Sequence, residues 1–114
     1  MSKAISSRAF QVDDSETIVT LYIHAPRPIV DGEEPAGTWR CRYEIDGLTY
    51  TVQDDAFGVD SLAALTVCIA LASIRLRRLA RTHRLMWLND PDLGLPTLSW
   101  DIPQPTATNE DRQQ

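Results

Sequence analysis

The stretch GVDSLAALTVCIALASIRLRRLARTHR, residues 58–84, is the segment that decides the fold. It predicts one long helix that is apolar as far as Ile74 and rich in arginine afterwards. We expect the N-cap at Asp60, or at Ser61 if the helix starts one residue later, because either side chain can accept a hydrogen bond from a free amide of the first turn. The rest of the chain has the patterns of strands, so this helix is expected to pack on a sheet.

The predicted helix has two apolar faces, and each needs a cover. The main stripe has spacings of three and four residues and should lie on the sheet. It consists of Leu62, Leu65, Ile69, Ala72, Leu76 and Leu79. The second face points the opposite way and is a candidate interface formed by Val67, Leu71, Ile74 and Arg78. Its cover could be segment 93–102, a second copy of the chain or a different protein, since an apolar patch left open marks an interaction site.

Period-two alternation predicts the strands. The clearest strand is Trp39 to Asp46. Its alternation places Cys41 and Tyr43 on a buried face and charged residues on the solvent-exposed face. The other predicted strands are 8–12, 17–25 and 48–54, with a short fifth strand or packing segment at 85–88. Leu48, Tyr50 and Val52 are expected to point inward. Asp46-Gly47 indicates a tight hairpin turn, because type I′ turns need positive φ.

These elements together predict a two-layer α+β fold. An antiparallel meander sheet of four to five strands is packed by one long α-helix. We expect a single domain over residues 1–102 and a disordered polar tail over 103–114.

Composition and charge narrow the class of protein. The chain has 114 residues and a formal net charge of −5, which favours solubility and disfavours general nucleic-acid binding. Cys41 and Cys68 are too few for a disulfide framework, and we expect two small buried hydrophobic side chains that could meet across the core. The N-terminus lacks an apolar signal region, and the apolar run 62–74 is too short to span a bilayer. We therefore expect a cytoplasmic protein that does not associate with membranes.

Residues that could carry catalysis are not grouped in the sequence. The candidate metal ligands are His24, His83, Cys41 and Cys68, and none is at ligand spacing. The acidic residues fall in turns and loops, and the chain has no phosphate loop, dinucleotide fingerprint or nucleophile elbow. We expect no catalytic site, no metal and no cofactor. A deep cleft around Tyr22, His24 and Arg42 would reopen the enzyme class.

Arginines at the end of the predicted helix form the one concentration of charge. They are Arg75, Arg77, Arg78, Arg81 and Arg84. At a helix C-terminus, cations complement the helix dipole, which is the simpler interpretation. The alternative interpretation is a strip that contacts phosphates, which would make the protein nucleic-acid-binding. No aromatic residue lies between these arginines, so a stacking platform for single strands is missing.

Three motifs resemble those of a family of small bacterial proteins of unknown function. They are Trp-x-Cys-x-Tyr-x-Ile at 39–45, Gly-x-Asp-Ser-Leu-x-Ala-Leu at 58–65, and Leu-x-Trp followed by Asp-Leu-Gly-x-Pro at 85–96. The family pattern usually has a polar residue in place of Ala63 and ends soon after the proline, so the tail from Thr97 is a departure. The resemblance implies a bacterial origin and a shared fold, and it brings no catalytic residues.

The sequence therefore favours a non-enzymatic protein-interaction module. One form of it is an acidic antitoxin or immunity-type protein that masks a basic partner. The partner would be a different protein or a second copy in a homodimer. Nucleic-acid binding through the arginines is the alternative.

Overall fold

The computed structural model describes residues 3–13, 15–30, 32 and 37–96. Within them, one helix packs on a six-stranded antiparallel sheet, which confirms the predicted two-layer α+β fold. The strands are β1 (Ala4–Val12), β2 (Ile18–His24), β3 (Arg27–Pro28), β4 (Trp39–Asp46), β5 (Val52–Gly58) and β6 (Leu85–Met86), and the helix is α1 (Ser61–His83). The predicted tail and the domain boundary at residue 102 lie outside the described residues.

The four long strands pair in chain order, as the predicted meander requires. β2 pairs with β1 and with β4, and β5 pairs with the other side of β4. The sheet has more strands than expected because it includes two additional strands of two residues each, β3 and β6. β6 joins β1, while β3 continues along the same side of β4 beyond β2.

The fourth long strand starts later than the sequence predicts. Val52 lies opposite Ile45, so residues 47–51 form a longer link in place of a two-residue turn. Tyr50 is 52% exposed, so its predicted inward position is wrong. Leu48 does pack against the core cluster, but from the link and not from a strand. The physical reason is the register with β4, which brings Val52 and Ala56 under the helix.

The buried stripe of α1 is rotated relative to the predicted one. The residues of the core cluster on the helix are Ala64, Cys68, Ala72, Leu76 and Leu79. Leu62 is 69% exposed, so its predicted place on the sheet is wrong. Small side chains allow a helix to approach a sheet closely. In the early turns of α1, the residues that face the sheet are the small ones, Ala64, Cys68 and Ala72.

Two residues of the second face are partly covered within the described part of the chain. Val67 and Leu71 are half-buried and pack against the core cluster. Ile74 is half-buried and lies outside that cluster. The apolar surface left on this side of the helix is therefore smaller than the sequence suggested.

Both ends of α1 are capped. The Asp60 carboxylate accepts a hydrogen bond from the Ala63 amide at 2.7 Å, which confirms the first of the two predicted N-caps. Arg84 takes a left-handed conformation and ends the helix. Among the described residues, no helix is both long enough and apolar enough to cross a membrane.

A short segment after β6 covers one side of the helix. Leu93 is buried and Leu95 is half-buried, and both pack with the core cluster. The Arg77 side chain donates to the carbonyls of Leu95 and Pro96 at 3.1 Å. The described part of the predicted cover is thus in contact with α1, whereas Leu98, Trp100 and Ile102 lie outside the described residues.

Candidate functional site: the open edge of the sheet

β5 is an edge strand. Among the described residues it pairs with β4 only, so its other side has no neighbouring strand. The Asp55 amide donates to the Asp54 carboxylate at 2.9 Å, which shows that this amide points away from β4. Because backbone groups alternate along a strand, the amides and carbonyls of Gln53 and Phe57 point the same way. The edge therefore presents the backbone of Gln53, Asp55 and Phe57.

Exposed apolar residues occur on both sides of the link between β5 and α1. Phe57 is 38% exposed, Val59 81% and Leu62 69%, and we call these three residues the apolar corner. Gly58 fixes the corner because it lies against the first turn of the helix. A Cβ atom on Gly58 would lie 2.6 Å from the carbonyl carbon of Ala63. Three exposed apolar residues within six positions of the chain favour a binding role for this segment.

The two aspartates of β5 have different environments. Asp54 is exposed and has no ion-pair partner among the described residues. Asp55 accepts hydrogen bonds from Arg42 at 2.8 Å and from Arg40 at 3.4 Å. Burial by itself would raise the pKa of Asp55, but the hydrogen bond from Arg42 and the charges of both arginines outweigh it and lower that pKa. Asp54 is the carboxylate that the edge leaves available to a partner.

The polar face of the sheet holds Tyr22, His24 and Arg42, the residues around which a deep cleft would favour an enzyme. His24 Nε2 lies 2.6 Å from a carboxylate oxygen of Glu44, and the His24 Nδ1 atom is buried with no hydrogen-bond partner among the described residues. Arg42 is held by Asp55, and Tyr22 lies opposite Glu44 in the register. His24 and Arg42 each contact a carboxylate on a neighbouring strand, so this face carries cross-strand polar pairs.

The four candidate metal ligands do not form one group, although the Cys41 and Cys68 thiols meet across the core. No three histidine, cysteine or acidic side chains of the described residues form a group that could hold a metal ion. Cys41 and Cys68 are both buried and unpaired by a disulfide, as the simpler interpretation of the sequence predicted. His83 Nδ1 lies 2.9 Å from the Thr82 hydroxyl at the end of the helix.

The five helix arginines are divided among several environments. Arg77, Arg78 and Arg81 line a shallow depression of about 300 Å³ together with Ile74. Arg77 also holds the segment after β6, and Arg84 forms an ion pair with Asp13. Phosphate contact by this group stays a prediction, as does a partner for the candidate interface at Val67, Leu71, Ile74 and Arg78.

Sequence reasoning missed the open edge, although a signal for it was present. The last strand of a meander before a helix is an edge strand unless the chain returns beside it. Asp54-Asp55 within such a strand is typical of edges, where charged side chains discourage uncontrolled pairing.

Over the residues that the structure describes, the fold and the site define a small α+β domain with one helix, a polar sheet face and an open acidic edge. The chain belongs to the family of the domain of unknown function DUF6968, whose model matches residues 6–97. This confirms that the chain is a member of a family of unknown function, as the three motifs suggested, while the bacterial origin stays a prediction. No curated protein and no solved structure gives a significant match.

Proposed function

We propose that the protein is a non-enzymatic protein-interaction module that binds its partner at the open edge of β5 and the apolar corner. The observation that carries the proposal is an unpaired strand edge whose carboxyl end leads into a segment with three exposed apolar residues. Apolar area supplies binding free energy, and an edge supplies directional hydrogen bonds. An acidic protein that masks a basic partner, as antitoxins and immunity-type proteins do, is the form of this function that the charge of −5 supports.

We further propose a cytoplasmic location and a partner other than a second copy. Two cysteines that are both free suit a reducing compartment. A homodimer through the outer helix face is less favoured, because Val67 and Leu71 already use part of their surface in the core.

Co-purification tests the proposal by comparing the proteins that the unmodified chain, a variant of the apolar corner and a control variant each retain. Tagged full-length chain is used to capture proteins from the source cells, with Val59→Asp/Leu62→Asp as the test variant and Leu88→Asp as its control. Leu88 is 78% exposed and lies away from β5 in the sequence, so the control adds the same kind of charge elsewhere. An aspartate in the first turn also suits the helix dipole, so the test variant should fold.

The expected result is one identified protein that the unmodified chain and the control retain and that the double variant loses. That protein, once purified, should bind the unmodified chain with at least about tenfold higher affinity than the double variant, which corresponds to about 1.4 kcal/mol. Equal binding to all three chains, or no protein retained selectively, would overturn the proposal.

A further inference from the structure

We infer that β5 accepts an extended, basic segment of the partner as an additional strand of the sheet. This rests on the proposed function and specifies the chemistry of the partner. The added strand would pair with the outward backbone groups of Gln53, Asp55 and Phe57, and a lysine or arginine of that strand would meet Asp54.

The backbone of β5 is prepared for pairing. Gln53 and Phe57 use neither their amides nor their carbonyls toward β4, and no described residue on the other side bonds them. Unpaired groups of this kind are a template for strand addition. The β5 strand from Val52 to Gly58 is long enough for three outward residues, so a partner strand could make several main-chain hydrogen bonds.

Asp54 protects the edge when no partner is present. Its carboxylate accepts the Asp55 amide at 2.9 Å and so satisfies the central outward donor of the strand. An incoming carbonyl would replace this bond and release the Asp54 carboxylate, which is exposed and has no cation within ion-pair distance among the described residues. A basic side chain opposite it would then form a cross-strand ion pair, which compensates for the lost local hydrogen bond.

A second copy of this chain is a poor occupant of the same edge. Pairing β5 with itself would bring two Asp54-Asp55 doublets together, and like charges on adjacent strands are destabilising. Asp55 is already neutralised by Arg42 and Arg40, but Asp54 is not. The charge of the edge therefore selects against self-pairing and for a basic segment.

Apolar residues of the partner would have a defined place at one end. The apolar corner lies at the carboxyl end of β5, where Phe57 is followed by Val59 and by Leu62 in the first helical turn. A strand that places a basic residue opposite Asp54 would continue toward this corner. The expected recognition sequence thus alternates basic and apolar residues.

Fluorescence anisotropy with a defined peptide tests the inference. The probe is a labelled peptide of nine residues in which lysine and valine alternate, and its control replaces each lysine by glutamate. The edge is tested with Gln53→Pro, which removes an outward amide, and with its matched control Gln53→Ala, which keeps it. An edge strand tolerates proline where the amide faces solvent, so Gln53→Pro should fold. The charge is tested with Asp54→Asn.

The lysine peptide is expected to bind the unmodified chain and Gln53→Ala about equally. Gln53→Pro and Asp54→Asn should each lower its affinity by about tenfold, and the glutamate peptide should not bind. Equal binding of the lysine peptide to Gln53→Pro and Gln53→Ala would overturn strand addition, and equal binding of both peptides would overturn the basic character.

Amide hydrogen exchange of the unmodified chain gives a second measurement that does not depend on a variant. The lysine peptide should slow exchange at the Gln53 and Phe57 amides, and unchanged exchange at saturating peptide would contradict the inference. The outcome of this test can be distinguished from the outcome of the test of the proposed function. If a protein partner depends on the apolar corner but binds Gln53→Pro normally, the interaction module stands and strand addition does not.

Discussion

The Arg8 guanidinium lies 3.9 Å from the centroid of the Trp87 ring. The same guanidinium donates to the carbonyl of Gly94 at 2.8 Å and to that of Leu93 at 3.3 Å. One side chain of β1 thereby holds both the residue after β6 and the segment that covers the side of α1. Residues from the two ends of the described chain are joined at this point.

Replacing Arg8 by alanine should destabilise the fold by about 1–3 kcal/mol. The estimate combines a cation–π contact with hydrogen bonds to backbone carbonyls. Urea denaturation followed by tryptophan fluorescence measures the change. Arg8→Lys is the matched control, because it keeps the charge but lacks the planar group that stacks on Trp87, and it should recover less than half of the loss. Full recovery by lysine would show that charge alone matters here.

The connection between β5 and α1 predicts that Gly58→Ala is destabilising. A Cβ atom at this position would lie 2.6 Å from the Ala63 carbonyl carbon, and the contact is with backbone, which cannot move aside without shifting the helix. Overpacking of this kind costs about 1–3 kcal/mol. Thermal unfolding by circular dichroism measures it. Gly32→Ala is a useful comparison for crowding, since a Cβ atom there meets nothing within 4 Å, although its φ of +87° adds strain of its own. An unchanged melting temperature for Gly58→Ala would contradict the close approach.

Local pattern predicted β4 correctly, whereas the start of β5 depended on distant contacts. The alternation from Trp39 to Asp46 needs only one strand with one buried face, so the inward residues could be assigned from sequence. The Asp46-Gly47 pair suggested a two-residue hairpin. In the structure, a Cβ atom on Gly47 would lie 3.0 Å from the Val19 Cα, so the glycine allows β2 to approach closely. This close approach results from tertiary packing against β2. A turn motif of two residues carries no information about such contacts.

The rotation of α1 has a similar physical origin. Hydropathy favoured a stripe that began at Leu62, because leucine is more apolar than alanine. The structure adds Ala64 and Cys68 to the buried stripe beside the predicted Ala72, and these small side chains let the helix lie close to the sheet. The candidate site was missed for a related reason, since an open edge is a property of the whole sheet and only the Asp54-Asp55 doublet marks it locally.

Asp55 predicts a dependence of stability on pH. Its pKa is lowered in the folded state, so its contribution is present above the pKa of the unfolded chain and is lost as the pH falls through the folded value. Asp55→Asn should therefore cost about 1.5–3 kcal/mol at pH 7, the range for hydrogen bonds to charged groups. The difference between the two chains should shrink as the solution is acidified below pH 4.

Urea denaturation of both chains between pH 7 and pH 3 measures this difference. Asp46→Asn is the control, because Asp46 is exposed and its carboxylate accepts only a 3.3 Å hydrogen bond from Thr51 among the described residues. A difference between Asp55→Asn and the unmodified chain that stays constant over the whole range would show that the carboxylate charge is not what stabilises the pair with Arg42.

Arg77 should act on the covering segment more than on a ligand. Its side chain reaches the carbonyls of Leu95 and Pro96, so Arg77→Ala should speed amide hydrogen exchange at 93–95 and destabilise the fold by about 1–2 kcal/mol. Arg78→Ala is the matched control from the next position, where the side chain is exposed, and it should change neither quantity. If Arg78→Ala lowered affinity for a short single-stranded oligonucleotide at low salt, the alternative function would gain support.

The two cysteines predict that the folded protein is protected from thiol reagents. Cys41 and Cys68 are both fully buried, and the Cys41 thiol donates to the His24 carbonyl at 3.4 Å. The hydrogen bond to Cys41 and burial together raise the pKa of Cys68, so its reactive thiolate is disfavoured at neutral pH. A colorimetric disulfide reagent should react with two thiols per chain in urea, as the sequence contains two cysteines. Without urea it should react no faster than the chain unfolds, and the rate should rise with urea as the unfolding rate does. Rapid labelling of either thiol at a rate independent of urea would mean that the interface between α1 and β4 opens locally, and the assignment of both cysteines to a closed core would then be wrong.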